Sequence, residues 1–248
     1  MSDGIVVRKC TTLPEFEACV TLQRDVWGEE DLEIEPVTGF LVASETGGQV
    51  LGAYDGDRLV GYTLGVVGYR DGVVFIHSHH TGVHHDYRDR GVGRKLKLFQ
   101  RDEALSRDIR YVQWTFDPLE LRNAHFNLNR LGGISRQYKP NLYGITSSPL
   151  HRGLATDRLL VEWHLDSKRV VAAISNLLTG PSSVEIGARI ELPVELEQWK
   201  QADVSATRKI QDHIRGEFMN HFNRGYAAVG TRNTSTGTEY LLVPWSDF

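Results

Sequence analysis

The stretch from Val73 to Arg107 constrains this chain more than any other, because it joins a β-branched strand to an amphipathic helix through a glycine-bearing turn. Val73–Val83 reads as the strand and Gly91–Arg107 as the helix, with Val92, Leu96 and Phe99 on one face. Between them lies Arg88-Asp89-Arg90-Gly91-Val92-Gly93. Backbone N–H groups at such a turn, with the helix dipole behind them, make an anion site, and glycine lets phosphate oxygens approach the backbone closely. Arg88, Arg90, Arg94, Lys95 and Lys97 place five cations within ten residues of a chain whose formal net charge is -4. That local concentration suits a polyphosphate ligand. No G-x-x-x-x-G-K-[ST] sequence is present, and Leu96 stands where a dinucleotide fingerprint needs its third glycine.

The flanking sequence supplies further elements. Ile5–Thr11 alternates as a strand; Thr12 to Glu15 forms a capping-box pattern opening a helix over Leu13–Trp27, which Gly28 is suited to close. A short helix over Pro36–Ser44 follows, then a hairpin from Val50–Tyr54 and Leu59–Val67 about a Gly-containing turn. Tyr111–Phe116 is strand-like. Asp117-Pro118-Leu119-Glu120 opens the next helix, with Asp117 as cap and Glu120 completing the box, and Leu131-Gly132-Gly133 ends it. Leu159–Leu165 is a further strand. The order predicts a mixed α/β sheet covered by helices.

After Ser167 the pattern changes. Gly180-Pro181-Ser182-Ser183 reads as a connecting loop, Ala188–Leu192 as a strand, and Ile210, Ile214, Phe218 and Phe222 as the buried stripe of a helix that Gly225 stops. Strands at Tyr226–Thr231 and Glu239–Val243 close the chain. The expected division is residues 1–167 and an extension, 168–248, whose β-α-β-β tail is too small for a core of its own. Such a tail packs on the first part or pairs with a second subunit to make a homodimer.

The acidic balance offers no global field for nucleic acid or an anionic membrane, and no apolar run approaches the roughly 20 residues of a membrane span. The N-terminus carries an early acid and lacks a secretion-signal pattern. Cys10 and Cys19 make no CxxC and read as reduced thiols, so a cytoplasmic protein is expected.

Five histidines fall between His77 and His85. Strict alternation along Val73–Val83 puts His77, His79, Thr81 and Val83 on one face and Ser78 and His80 on the other, with His84 and His85 in the polar loop. Zinc needs three or four convergent ligands; a strand supplies a neighbouring pair and the cysteines are remote, so no metal is expected. Each histidine is either satisfied by core or solvent hydrogen bonds, or serves as a base whose ordinary pKa of about 6.5 suits proton transfer from an amine. Asp117 and Glu120 read as caps before they read as an acid/base pair, and Trp27, Phe40 and Trp114 as core.

Val83, a short polar loop and R-x-x-G-x-G opening an amphipathic helix resemble the acyl-CoA-binding motif of the GNAT acyltransferase superfamily. The resemblance spans roughly residues 5–165. "HSH", "YRDRGVGRKLKLFQRDEAL", "WTFDPLELRNAHFNLNRLGG" and "YKPNLYG" look like one subgroup of bacterial acyl-CoA-dependent acyltransferases with a C-terminal extension. The resemblance implies a mixed, mostly antiparallel sheet flanked by helices (α/β, α+β). It implies acetyl-CoA or another acyl-CoA as co-substrate, with an acetyl or other short acyl group such as succinyl passing to a small-molecule amine such as an amino acid. In that family the strand before the motif bulges and splays to admit the pantetheine arm, and Gly82 is compatible with such a bulge. The backbone near Val83 would polarise the thioester, and groups from Arg88, Asp89, Arg90, Gly91, Val92, Gly93 and Arg94 would hold the pyrophosphate. Asn123 and Asn127 would contact the cofactor arm. The family's tyrosine acid is replaced by Leu128, which leaves Tyr138 or Tyr143 for that role, or a non-catalytic acyl-CoA-binding regulatory module instead. His79, near the expected cleft, is the expected base, with His77 assisting.

Overall fold

The computed structural model describes residues 4–28, 34–144, 153–178 and 186–245, and the loop expected at Gly180–Ser183 lies outside them. The fold is a mixed α/β arrangement of largely antiparallel strands flanked by helices. It divides into two compact units, one ending at Gln113 and the other beginning at Trp114, inside a strand.

The first unit runs β1 (Ile5–Lys9), α1 (Leu13–Trp27), α2 (Val37–Glu45), β2 (Gln49–Asp55), β3 (Arg58–Arg70), β4 (Val73–Val83), α3 (Val92–Leu105) and the start of β5 (Tyr111–Phe116). Its strands lie in sequence order, β1-β2-β3-β4-β5. Helix α1 begins as its sequence requires: Thr12 N donates to Glu15 Oε2 at 3.0 Å, and Gly28 closes the helix with φ of 61°, a conformation that favours glycine. The alternation of β3 serves two cores. Tyr62 and Leu64 bury against Phe16, Cys19 and Leu22 of α1 and Phe40 and Ala43 of α2. Gly61 faces the other way, where an added Cβ would come 3.0 Å from Val92 and 3.2 Å from Leu96 of α3. Leu51, Ala53 and Val60 fill that second core. Burying each such side chain contributes about 1.5–3 kcal/mol.

The second unit contains the rest of β5, α4 (Leu121–His125), β6 (Ile134–Lys139), β7 (Arg158–His164), α5 (Lys168–Ile174), β8 (Ala188–Pro193), α6 (Leu196–Ala202), α7 (Val204–Asn223), β9 (Tyr226–Asn233) and β10 (Gly237–Pro244). Strand order is β5-β7-β6-β9-β10-β8, so the C-terminal strands continue from β6, with Ser135 opposite Ala228. Strand β6, helix α5 and helix α6 carry no clear periodic signature and were absent from the expected elements. Phe218 of α7 stacks on Tyr138 at 5.8 Å and meets Tyr240 edge-on at 5.0 Å, which gives the tail its core.

One expectation here is corrected. The helix starts later than expected: α4 begins at Leu121 with Glu120 at its N-cap position, and the Glu120 side chain makes no capping bond. Asp117 Oδ1 instead accepts from Leu119 N at 2.8 Å in a turn, while Glu120 pairs with Lys200 of α6. Beyond His125 the helix widens to a π-helical turn, Phe126–Arg130. Carbonyls around that turn are taken by Arg169 of α5, which donates to Leu128 O at 3.0 Å and Gly132 O at 3.1 Å. Asn129 bonds both the N–H and the carbonyl of Thr231, fastening the turn to β9. Among the described residues no helix is long and apolar enough to cross a membrane.

Candidate active site

Strand β4 carries the histidines, and its register with β3 decides where they point. Leu64 lies opposite His80 and Gly65 opposite Ser78, so His79 is an extra residue without a partner on β3. A bulge resets the alternation of side chains. The expected sorting is therefore corrected: Ser78, Thr81 and Val83 face α3, and His80 turns with Gly82 toward α1. Lys97 Nζ of α3 donates to Ser78 Oγ at 2.7 Å, and Val83 joins the core around Val92 and Leu96. His80 packs on Trp27 with ring centroids 5.4 Å apart. The bulge is also not at Gly82, which pairs regularly with Tyr62; a Cβ there would crowd Tyr62 and Trp27.

The bulge brings three imidazoles into a row. His79 stacks on His80 at 4.0 Å, and His77 follows His79 at 6.2 Å. Burial pushes His77 down to about 4, helped by the charges of His79, Lys97 and Arg70, and pushes His80 down to about 3. Burial lowers His79 too, but there a carboxylate opposes it: Glu35 Oε2 lies 3.6 Å from His79 Nε2.

Sequence reasoning missed Glu35. It sits between α1 and α2 with no periodicity or motif to mark it, and only the folded chain brings it to β4. The fully buried Gln23 of α1 accepts from Glu35 N at 2.9 Å and donates to Glu35 O at 3.2 Å. On the far side, a Cβ at Gly39 would overlap the Glu35 carboxylate.

From His79 the strand leads through Val83 to the glycine turn. β4 pairs in parallel with β5 at Ile76 opposite Val112 and His77 opposite Gln113, while the register of Ser78 to Val83 is given by β3. Gly91 holds φ of 77° at the start of α3, and Lys95 N donates to Gly91 O at 3.0 Å. As at any helix start, the first backbone N–H groups of α3 point out of the helix's own ladder toward the turn. Among the described residues the space beside the turn is open: a Cβ at Gly93 would meet only Val83 Cγ2 at 3.9 Å. Arg88, Asp89 and Arg90 are exposed there, with Arg94 and Lys95 half-buried. Lys97 is corrected out of this cationic group. It is buried, bonded to Ser78 and to Gln100 Oε1 at 3.0 Å, and burial brings it down to about 7.

In the second unit the remaining candidates stand as follows. Tyr138 is buried, and its hydroxyl donates to Asp157 Oδ2 at 2.7 Å; burial and that carboxylate raise its pKa. Tyr143 is half-exposed, 3.0 Å from Thr115 Oγ1, with Arg158 over its ring at 5.3 Å. Asn123 is exposed, whereas Asn127 is buried and accepts from Trp114 Nε1 at 3.2 Å. Leu128 is fully buried. Burial pushes Asp117 up to about 6, although the N–H of Leu119 opposes it.

The ligand atoms of His84, His85 and Asp86 lie within 4.8 Å of one another. Arg58 Nη2 is 3.0 Å from His84 Nε2, a permanent cation beside any metal ion drawn there, so the group suits a loop network better than a metal centre.

Residues 15–132 match the model of the acetyltransferase (GNAT) family. No curated protein matches the chain by sequence. Among solved structures it is similar to the acetyltransferase of GNAT family from Streptococcus pneumoniae, with a TM-score of 0.52 and 13% identity over 64% of this chain and 98% of that one. The structure of yncA from Salmonella typhimurium with its cofactor acetyl-CoA matches with a TM-score of 0.52 and 17% identity, over 66% of this chain and 95% of that one. Arabidopsis thaliana Naa50, in complex with the bisubstrate analogue CoA-Ac-MVNAL, matches with a TM-score of 0.51 and 14% identity, over 64% and 97%. At these identities the likeness is one of fold. Through residues 15–132, the chain carries a domain of the GNAT acetyltransferase family.

Proposed function

We propose that this chain is an acyl-CoA-dependent N-acyltransferase, moving an acetyl or other short acyl group such as succinyl to a small-molecule amine. The observation that carries this reading is a single strand, β4, running from a bulged, carboxylate-flanked histidine to an open glycine turn at the start of α3. His79 and Val83 are four residues apart, about 13 Å of strand. The turn from Arg88 to Arg94 is our pyrophosphate site, and the backbone at Val83 our thioester contact. Asn123 and Asn127 are our assignments for the cofactor arm.

In this reading the acceptor nitrogen attacks the thioester carbon and a C–N bond forms. The oxyanion then collapses, the C–S bond breaks, and CoA leaves as thiolate. His79 takes the proton that the amine sheds, with His77 one pleat away. Of the two tyrosines, Tyr143 is the better acid, since Tyr138 is committed to Asp157 and held protonated. Trp27 beside His80 favours a small amine as acceptor. The buried free thiols of Cys10 and Cys19 agree with a cytoplasmic setting. Residues 1–167 are read as the GNAT domain and 168–248 as its extension. Exposed apolar residues at the far end of the β3–β4 hairpin, Val66, Tyr69, Val73 and Val74, are read as a surface for a homodimer, which sedimentation reads directly.

Calorimetry with acetyl-CoA and succinyl-CoA, followed by thiol release over a panel of primary amines, tests the reading. Saturable binding of a thioester and amine-dependent thiol release are expected. Binding without turnover on any amine would favour the regulatory module, for which the buried Leu128 in the place of the family's acid speaks. No binding of either thioester would overturn both.

A further inference from the structure

Of the three histidines in the row, one has a carboxylate. Glu35 is also held more firmly than a surface acid needs to be. Gln23, fully buried, clamps both its backbone N–H and its carbonyl, and the absence of a side chain at Gly39 leaves room for its carboxylate. The backbone held in this way directs the side chain toward β4, where its Oε2 ends 3.6 Å from His79 Nε2.

We infer that Glu35 is the positioning residue for His79: a fixed carboxylate that turns Nε2–H toward itself, leaves the lone pair of Nδ1 for the acceptor's proton, and stabilises the imidazolium formed on proton transfer. This rests on the reading of His79 as base. A neutral imidazole carries one N–H, so a carboxylate at Nε2 selects the tautomer whose basic nitrogen is Nδ1. The same negative charge offsets the burial of the ring and lets it hold a proton transiently. Among the described residues, the titratable neighbours of His79 are His77 and His80 on its own strand and Glu35 from the α1–α2 connection. His77 and His80 are pushed down to about 4 and about 3, so both are neutral near pH 7, and among the described residues Glu35 is the charge that faces it.

The test uses the full chain with labelled histidines, titrated by NMR, the His79 signal being the one lost in His79→Ala. Glu35→Gln should move the His79 titration to lower pH. Gly39→Ala, which keeps the acid but displaces its carboxylate, should do the same. With acetyl-CoA and the best amine of the panel, Glu35→Gln should lower kcat about tenfold. The KM for acetyl-CoA should stay unchanged, and the acidic limb of the rate profile should move down with the titration. In a His79→Ala background Glu35→Gln should cost nothing further, because a residue acting only through another has no effect once that other is gone. An unmoved His79 titration in both Glu35→Gln and Gly39→Ala would overturn the inference while leaving the base assignment standing. A shifted titration with a wild-type rate in His79→Ala would overturn the base assignment instead. Equal losses from Glu35→Gln in both backgrounds would make Glu35 merely structural.

Discussion

Lys97 Nζ lies 2.7 Å from Ser78 Oγ, so the helix that starts at the glycine turn is bonded to β4 one residue before the bulged His79. Burial lowers this lysine from an ordinary 10.5 to about 7. The unfolded chain therefore binds the proton more tightly across that window, and stability rises with pH from about 7 to 10.5. The contribution is lost as pH falls through 7. Lys97→Met should remove it: the Tm of the wild type should climb relative to the variant between pH 7 and 10. Parallel melting curves across that range would show that Lys97 is solvated.

Replacing the histidines one at a time should separate base from scaffold. His79→Ala should lower kcat/KM at least about 100-fold with acyl-CoA affinity nearly unchanged, since a base contributes about 10²–10⁴-fold. His77→Ala should cost less, and His80→Ala mainly stability through its contact with Trp27. Because the base works when neutral and burial lowers His79, the rate should rise with pH along a limb displaced to lower pH than a free histidine would give. A wild-type profile in His79→Ala would move the base elsewhere.

The two glycines of the turn should fail differently. Gly93→Val meets open space, so it should keep the wild-type Tm and lose acyl-CoA binding by at least about tenfold. Gly91→Val must hold φ of 77° and should lose both binding and about 1 kcal/mol of stability. Calorimetry and thermal melts read the two effects apart; undiminished affinity in Gly93→Val would remove the turn from the site.

The tail should prove indispensable to its own unit. Ending the chain at residue 180 removes β9, β10 and α7, exposing the edge of β6 and the ring of Tyr138. Aggregation of the fragment is expected, as is a loss of about 3–5 kcal/mol in Phe218→Ala of the full chain. A soluble, active 1–180 fragment would refute this.

The elements read from the sequence are those whose signal is local. Thr12, Glu15 and Gly28 bracket α1 as expected, and Ile214 and Phe218 lie buried on α7. The bulge at His79 was hidden because two residues against one is a property of a strand pair, while alternation is a property of one strand. Capping at Asp117 failed for a related reason: the acid bonds a turn one step before the helix, and Glu120 is drawn to Lys200 from a distant segment. Glu35 and Lys97 show the same limit in the site itself. Nothing in the sequence marks Glu35, and Lys97 reads there as one more cation of the turn; only the fold gives each a buried partner, Gln23 and Ser78.

The π-helical turn at Phe126–Arg130 bears on how such a chain can be shortened in evolution or in the laboratory. Leu128 O within it and Gly132 O just after it are answered by Arg169, which follows the boundary expected from the sequence at residue 167. A cut at residue 167 would thus separate acceptors from their donor, although it severs no strand. Related chains that lack a counterpart of Arg169 should close this helix with ordinary α-helical spacing, and the wide turn and the arginine should be gained or lost together.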